Sequence, residues 1–237
     1  MLTLAIDTTA NTATAALCRD GRMVALYTVN GLLTHSETLL PMIENMLEKS
    51  ALTVGDIDMF AVSEGPGSFT GVRIGVSLIK GLAFDKNTPC VGVSTLDALA
   101  LNLDGFGGYV VPVMDARRNQ VYTAVYRDGK RLTEDMLIPL DELKALLVSM
   151  EAYELHLVGD GYDLAKKYFD GTDIKVLDTP AALILQNALN VAICAEKMKA
   201  EGGEKSDREL SARYLRASQA EREREEKLAA EKTHGGL

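Results

Sequence analysis

Three short stretches of this 237-residue chain bring together residue types that could do chemistry. Asp7 ends an apolar run and is followed by Thr8 and Thr9, so its carboxylate could face a metal or phosphate, or could cap its own turn. Glu64 to Gly71, reading EGPGSFTG, separates the apolar run Met59–Val62 from a segment with apolar residues at helical spacing. A strand, a glycine-rich turn and a helix form the local grammar of a phosphate cradle. The third stretch is Asp115-Ala116-Arg117-Arg118, where two guanidinium groups could hold an anion or could simply decorate a surface turn.

Each stretch lacks part of what its chemistry requires. EGPGSFTG has no Gly-Lys-Ser/Thr to grip a triphosphate, and the spacing of Gly65, Gly67 and Gly71 misses the dinucleotide fingerprint. With Ser68, those glycines are read either as an inherited phosphate-loop-like turn or as a tight strand-to-helix connection. His35, His156 and His234 form no His-x-x-x-His pair, and no Gly-x-Ser-x-Gly elbow occurs. Cys18, Cys90 and Cys194 are odd in number and lie in apolar contexts, as buried thiols of a reducing cytoplasm would. No catalytic residue, metal ligand or cofactor is assigned.

The elements that must position these stretches repeat. Leu4–Asp7, a tight connection, Thr12–Arg19 and Asp20-Gly21 are echoed by Val111–Asp115, a connection, Gln120–Arg127 and Asp128-Gly129. Thirteen positions separate Asp7 from Asp20, and thirteen separate Asp115 from Asp128. Each copy predicts two strands and an Asp-Gly hairpin into a third. The first copy continues as helix 36–49 with Ser36 as N-cap and Pro41 kinking it or delaying its start, strand 58–63, helix 71–84, strand 90–94 and helix 95–103. The second continues as helix 139–150, strand 156–158, a Gly159-Asp160-Gly161 turn, strand 173–177 and helix 181–199.

Three antiparallel strands followed by alternating helices and strands, twice over, is an α/β pattern of two ribonuclease-H-like lobes of the actin/Hsp70/sugar-kinase (ASKHA) type. The expected division is 1–104 for the first lobe, 105–203 for the second and 204–237 for a charged tail. Within the tail Ser218 and Glu221 suggest a capped helix over 219–232. A hydrophobic content of 47% fits a globular chain with no run long enough to span a bilayer, and a formal charge of −9 argues against a broad grip on nucleic acid.

Two helices offer a surface for a partner. Gly71, Gly75, Leu78 and Leu82 form one stripe, and Leu39, Ile43 and Met46 form another. Glycine inside a soluble helix costs about 1 kcal/mol against alanine, which points to close packing. The packing is either with a partner's helices or with the sheet of the chain's own lobe.

IDTTANTATAAL, HSETLLPMI, DIDMFAVSEGPGSFTGVRIGVSLIKGLA, VSTLDALA and YLRASQAE resemble the TsaB (YeaZ) family, accessory subunits for making threonylcarbamoyladenosine in bacterial tRNA. The resemblance runs from Leu4 to about Glu221. It implies the two-lobed fold, a cytoplasmic place, a catalytic paralogue TsaD and a small ATPase TsaE as partners, and contact with tRNA through that complex. In the absence of TsaD, a second copy of the chain would take its place. TsaD-like chains carry a metal-binding His-x-x-x-His where this sequence has Thr95 and Leu99, and a Ser-Gly-Gly-His turn where it has Asp115-Ala116-Arg117-Arg118. The resemblance therefore implies a non-catalytic scaffold; the alternative is an autonomous ASKHA-type phosphotransferase or ATPase acting on a small substrate.

Overall fold

A computed structural model describes residues 1–31 and 33–216. The proposed helix over 219–232 lies outside the described residues. Five strands build the first sheet: β1 (Leu2–Asp7), β2 (Thr12–Arg19), β3 (Arg22–Asn30), β4 (Met59–Gly65) and β5 (Cys90–Ser94), in the order β3-β2-β1-β4-β5. The first three are antiparallel, and β4 and β5 run parallel to β1. Asp20 and Gly21, both with positive φ (48° and 74°), make the hairpin between β2 and β3.

The second sheet repeats that order. β6 (Tyr109–Asp115), β7 (Gln120–Thr123), β10 (Met136–Pro139), β11 (Glu154–Val158) and β12 (Lys175–Leu177) are arranged β10-β7-β6-β11-β12, again with three antiparallel strands and two parallel additions. One expectation changes here. The Asp128-Gly129 hairpin forms, but it joins the two-residue strands β8 (Tyr126–Arg127) and β9 (Lys130–Arg131), which branch from the start of β6. The third strand of the sheet is β10, because the chain breaks out of the ladder after Thr123 and ties Val125 to Leu132 and Thr133.

Helix α1 (His35–Lys49) is capped by Thr34 with Glu37 in a capping box rather than by Ser36, and it runs through Pro41. Helix α2 (Phe69–Ala83) starts at Ser68, whose hydroxyl accepts from the Gly71 amide at 3.3 Å. Both helices close one face of the first sheet, around Leu4, Ile6, Leu17, Phe60 and Val62. In the second lobe α4 (Leu140–Ser149) and α5 (Tyr162–Phe169) do the same around Val111, Val113, Leu155 and Leu157. No helix is assigned over α5 by the sequence reading, although Tyr162, Ala165 and Phe169 are its buried residues.

The two remaining helices cross between lobes. α3 (Thr95–Ala100) lies at the end of the first-lobe sequence, yet Leu96 and Leu99 pack with Val110, Met114, Ala124 and Val158 of the second. α6 (Ala188–Ala200) follows the second-lobe strands, yet Val191, Ala192 and Ala195 pack against Ala5, Met59, Ala61 and Val93 of the first. The division at 104 thus separates the sheets, whereas each core borrows a helix from the other side. α6 begins later than 181 because Leu183 and Leu185 give their carbonyls to Asn102, Ile184 gives its carbonyl to Gly159, and Asn187 caps the helix. Residues 204–216 hold no helix; this part of the proposed tail pairs with β5 at Lys205, turns over 207–209 and runs along the first lobe.

Candidate functional site

The first two chemistry-bearing stretches meet where β1 and β4 end. Asp7 is 1% exposed, and its oxygens are taken by the Thr9 amide and hydroxyl (2.8 and 2.7 Å) and by the Ser63 hydroxyl (2.6 Å). Burial pushes its carboxyl above the usual range, against the lowering effect of those three donors. Its neighbours Thr9, Ala10 and Asn11 line the cleft between the lobes; the Asp7 carboxylate does not. Of its two candidate roles, the geometry displays the turn role: one carboxylate fastens the end of β1 to the end of β4.

The glycine-rich turn packs against the same corner. Gly67 lies against the Thr9 carbonyl, where a Cβ would approach to 2.5 Å, and Ser68 donates its amide to that oxygen at 2.7 Å. The Ser68 amide that a phosphate cradle would offer is thus taken by a carbonyl of the chain itself. Gly65, Gly67 and Ser68 serve as a tight connection into α2, with Pro66, Gly67 and Ser68 forming part of the cleft wall.

The interface expectation is corrected. Leu39, Ile43 and Met46 are at most 1% exposed and belong to the first-lobe core. Gly71 and Gly75 are buried against Thr8 of the same chain, and a Cβ on Gly75 would stand 2.6 Å from the Thr8 hydroxyl and 3.2 Å from Val62. Leu78 and Leu82 are half-buried on that cluster. The stripe is apolar because it meets its own sheet. The exposed positions of α1 and α2 include Leu40 (40%), Pro41, Glu44, Glu48, Arg73, Ser77, Gly81 and, just past the helix, Phe84 (68%).

Across the cleft, the β6–β7 turn carries the second lobe's contribution. Arg117, Arg118 and Asn119 all adopt positive φ, and the guanidinium of Arg117 returns to Asp115 at 3.1 Å. Asp160, exposed at the surface, lines the same second-lobe wall, and its carboxyl is raised to about 6, chiefly by desolvation in the cleft and then by the carboxylates of Asp115 and Asp7, against its own backbone amide and Arg117. Sequence reasoning singled out the Gly159–Gly161 turn but not this carboxyl, whose neighbours come from both lobes. The cleft holds about 330 Å³, and its mouth is lined by Arg213 to Arg216.

Thr95 and Leu99 are both buried on α3, with Leu99 inside an apolar cluster. Among the described residues no three His, Cys, Asp or Glu side chains converge to hold a metal ion. Cys18 and Cys90 are raised to about 11 and Cys194 to about 12, each mainly by burial, so they are thiols rather than nucleophilic thiolates near neutral pH. Among the described residues no helix is long and apolar enough to cross a membrane.

The family model described as "TsaD: tRNA N6-adenosine threonylcarbamoyltransferase" matches residues 32–224. The chain is 39% identical over 137 residues to the tRNA threonylcarbamoyladenosine biosynthesis protein TsaB of Bacillus subtilis, covering 58% of this chain and 60% of that one. To TsaB of Escherichia coli it is 39% identical over 129 residues, covering 54% and 55%. The matches thus span little more than half the length of these curated relatives. The solved structure of YeaZ from Pseudomonas aeruginosa superposes with a TM-score of 0.76 at 26% identity, over 90% of this chain and 99% of that one. Two sheets of one strand order with exchanged helices are the ASKHA-type fold, and the chain belongs to the TsaD family, with its likeness there to the TsaB (YeaZ) proteins.

Proposed function

We propose that the chain is a non-catalytic scaffold subunit in the formation of threonylcarbamoyladenosine in tRNA. It works beside a catalytic TsaD paralogue and a TsaE-type ATPase, and meets tRNA through that assembly. Two of its relatives are named for this pathway. The observation that carries the non-catalytic reading is Leu99, locked in an apolar cluster with Val110, Met114 and Val158. With Thr95, it stands where the catalytic paralogues offer two imidazoles; a hydroxyl and an isobutyl group cannot replace them as ligands.

The partner surface is proposed on the outward faces of α1 and α2. Leu40 and Phe84 give it apolar anchors, and Gly81 gives it a place without a side chain. TsaD, or a second copy when TsaD is absent, docks there. The test is reconstitution with a TsaD protein, a TsaE protein, the carbamoyl-adenylate-forming enzyme and tRNA. Omitting the chain should stop sustained modification, and Phe84→Asp should abolish co-purification with TsaD while leaving the fold intact. Tight ATP binding with turnover by the pure chain would overturn the reading in favour of an autonomous phosphotransferase.

A further inference from the structure

Beyond α6 the chain does not leave the molecule. Lys205 exchanges backbone hydrogen bonds with Cys90 on β5, both at 2.8 Å. Leu210 is fully buried in the first-lobe core, and Lys80 donates to the carbonyls of Arg208 and Leu210 at 3.3 and 3.0 Å. At Arg213 the segment reaches the cleft. The Arg213 amide donates to the Glu64 carbonyl at 2.7 Å, and its own carbonyl lies over Gly65 where no Cβ would fit. Tyr214 stacks on Phe69 of α2 with ring centroids 4.6 Å apart and accepts from Arg73 Nε at 3.0 Å.

Its last two arginines go the other way. Arg213 reaches Asp135, between β9 and β10, at 3.2 Å; that carboxylate is fully enclosed and also accepts from Ser94 and Arg131. Arg216 donates to the Ala116 carbonyl at 3.0 Å, in the β6–β7 turn, and to the side-chain oxygen of Gln120, where β7 begins. Arg213, Tyr214 and Arg216 therefore hold the first lobe by backbone and aromatic contacts and the second by guanidinium groups.

We propose that residues 210–216 are an intramolecular clasp that fixes the two lobes at one angle and roofs the cleft between them. Two-lobed folds of this kind ordinarily close and open by rotation about the segments that join the lobes. Here rotation would strip Arg213 from an enclosed carboxylate and leave it only Arg131 as a charged partner, and a buried charge with less compensation is unfavourable. It would also break the hydrogen bonds of Arg216, whose charged donor makes them stronger than neutral ones. The clasp makes a hinge-capable architecture into one rigid body. A ligand seeking the cleft must first displace Tyr214 to Arg216.

The test is hydrogen–deuterium exchange of the full chain carrying Arg213→Ala and Arg216→Ala together. Amides of 65–69 and 115–120 should exchange faster by about tenfold or more, while β1 and β2 keep wild-type protection, the pattern of a sub-global opening. Should the double variant fail to fold, Arg216→Ala alone carries the test, since that side chain hydrogen-bonds Ala116 and Gln120 of the second lobe; faster exchange at 115–120 is then expected. Unchanged protection at the cleft in a folded variant overturns the clasp. So does an equal loss of protection across both lobes and β1–β2, which would make the segment an ordinary part of the global fold.

Discussion

The carbonyl oxygen of Thr8 fills the space that a Cβ at Gly71 would need, and the Thr8 hydroxyl donates to the Gly71 carbonyl at 2.7 Å. Helix α2 and the end of β1 therefore touch backbone to backbone. Gly71→Ala should destabilise the fold by about 1–3 kcal/mol through overpacking, seen as a lower urea midpoint at unchanged slope. Gly75→Leu, aimed at Thr8 and Val62, should be worse. Gly81, on the outer face of the same helix with open space around it, should behave oppositely: Gly81→Ala should stabilise by about 0.5–1 kcal/mol from helix propensity alone.

Asp7 offers a second test. Asp7→Ala leaves the Ser63 hydroxyl and the Thr9 amide and hydroxyl buried without their acceptor, and should cost about 1–3 kcal/mol in urea denaturation. Asp7→Asn keeps an acceptor for Thr9, and the Ser63 hydroxyl can turn to accept from the new amide. It should lose markedly less. An equal loss in both variants would show that the negative charge itself is needed there.

Asp160 makes stability depend on pH in a defined window. Its carboxyl is raised from 3.8 to about 6 in the folded chain, so folding favours the protonated form. The benefit is complete below the unfolded value and is lost as pH rises through the folded one. Asp160→Asn should therefore melt above wild type at pH 7, and that advantage should disappear between about pH 6 and pH 4. Melting curves at a series of pH values check this.

Arg131 holds Asp97 by two contacts (3.1 and 3.2 Å), Asp135 by a second nitrogen and the Thr133 carbonyl at 2.8 Å, while the Tyr126 hydroxyl donates to Asp97 at 2.6 Å. Arg131→Met leaves Asp135 with less compensation inside the protein and should cost about 2–4 kcal/mol. A double-mutant cycle with Asp97→Asn should return a coupling above about 0.5 kcal/mol, because the two side chains are in direct contact.

Whatever depends on neighbouring residues was legible in the chain alone. The bounds of β2 and β5, the two Asp-Gly hairpins and the glycine turn into α2 all follow from alternation, turn chemistry and helical spacing within a few residues. The recurrence of the Asp7–Asp20 pattern at Asp115–Asp128 also marked two lobes of like construction, although the third strand of the second sheet is β10 and not the strand that follows its Asp-Gly hairpin. Whatever depends on the object a face meets was settled by the folded arrangement. Apolar spacing marked the Gly71–Gly75 stripe as packed, but only the fold placed Thr8 and Val62 beneath it rather than a partner. Nothing local distinguishes β9 from β10 as the third strand, sends α3 and α6 to opposite lobes, or brings Arg213 to Asp135 across the cleft. Those arrangements rest on contacts between residues far apart in the chain, whose geometry is fixed only once both sheets have formed and closed against each other.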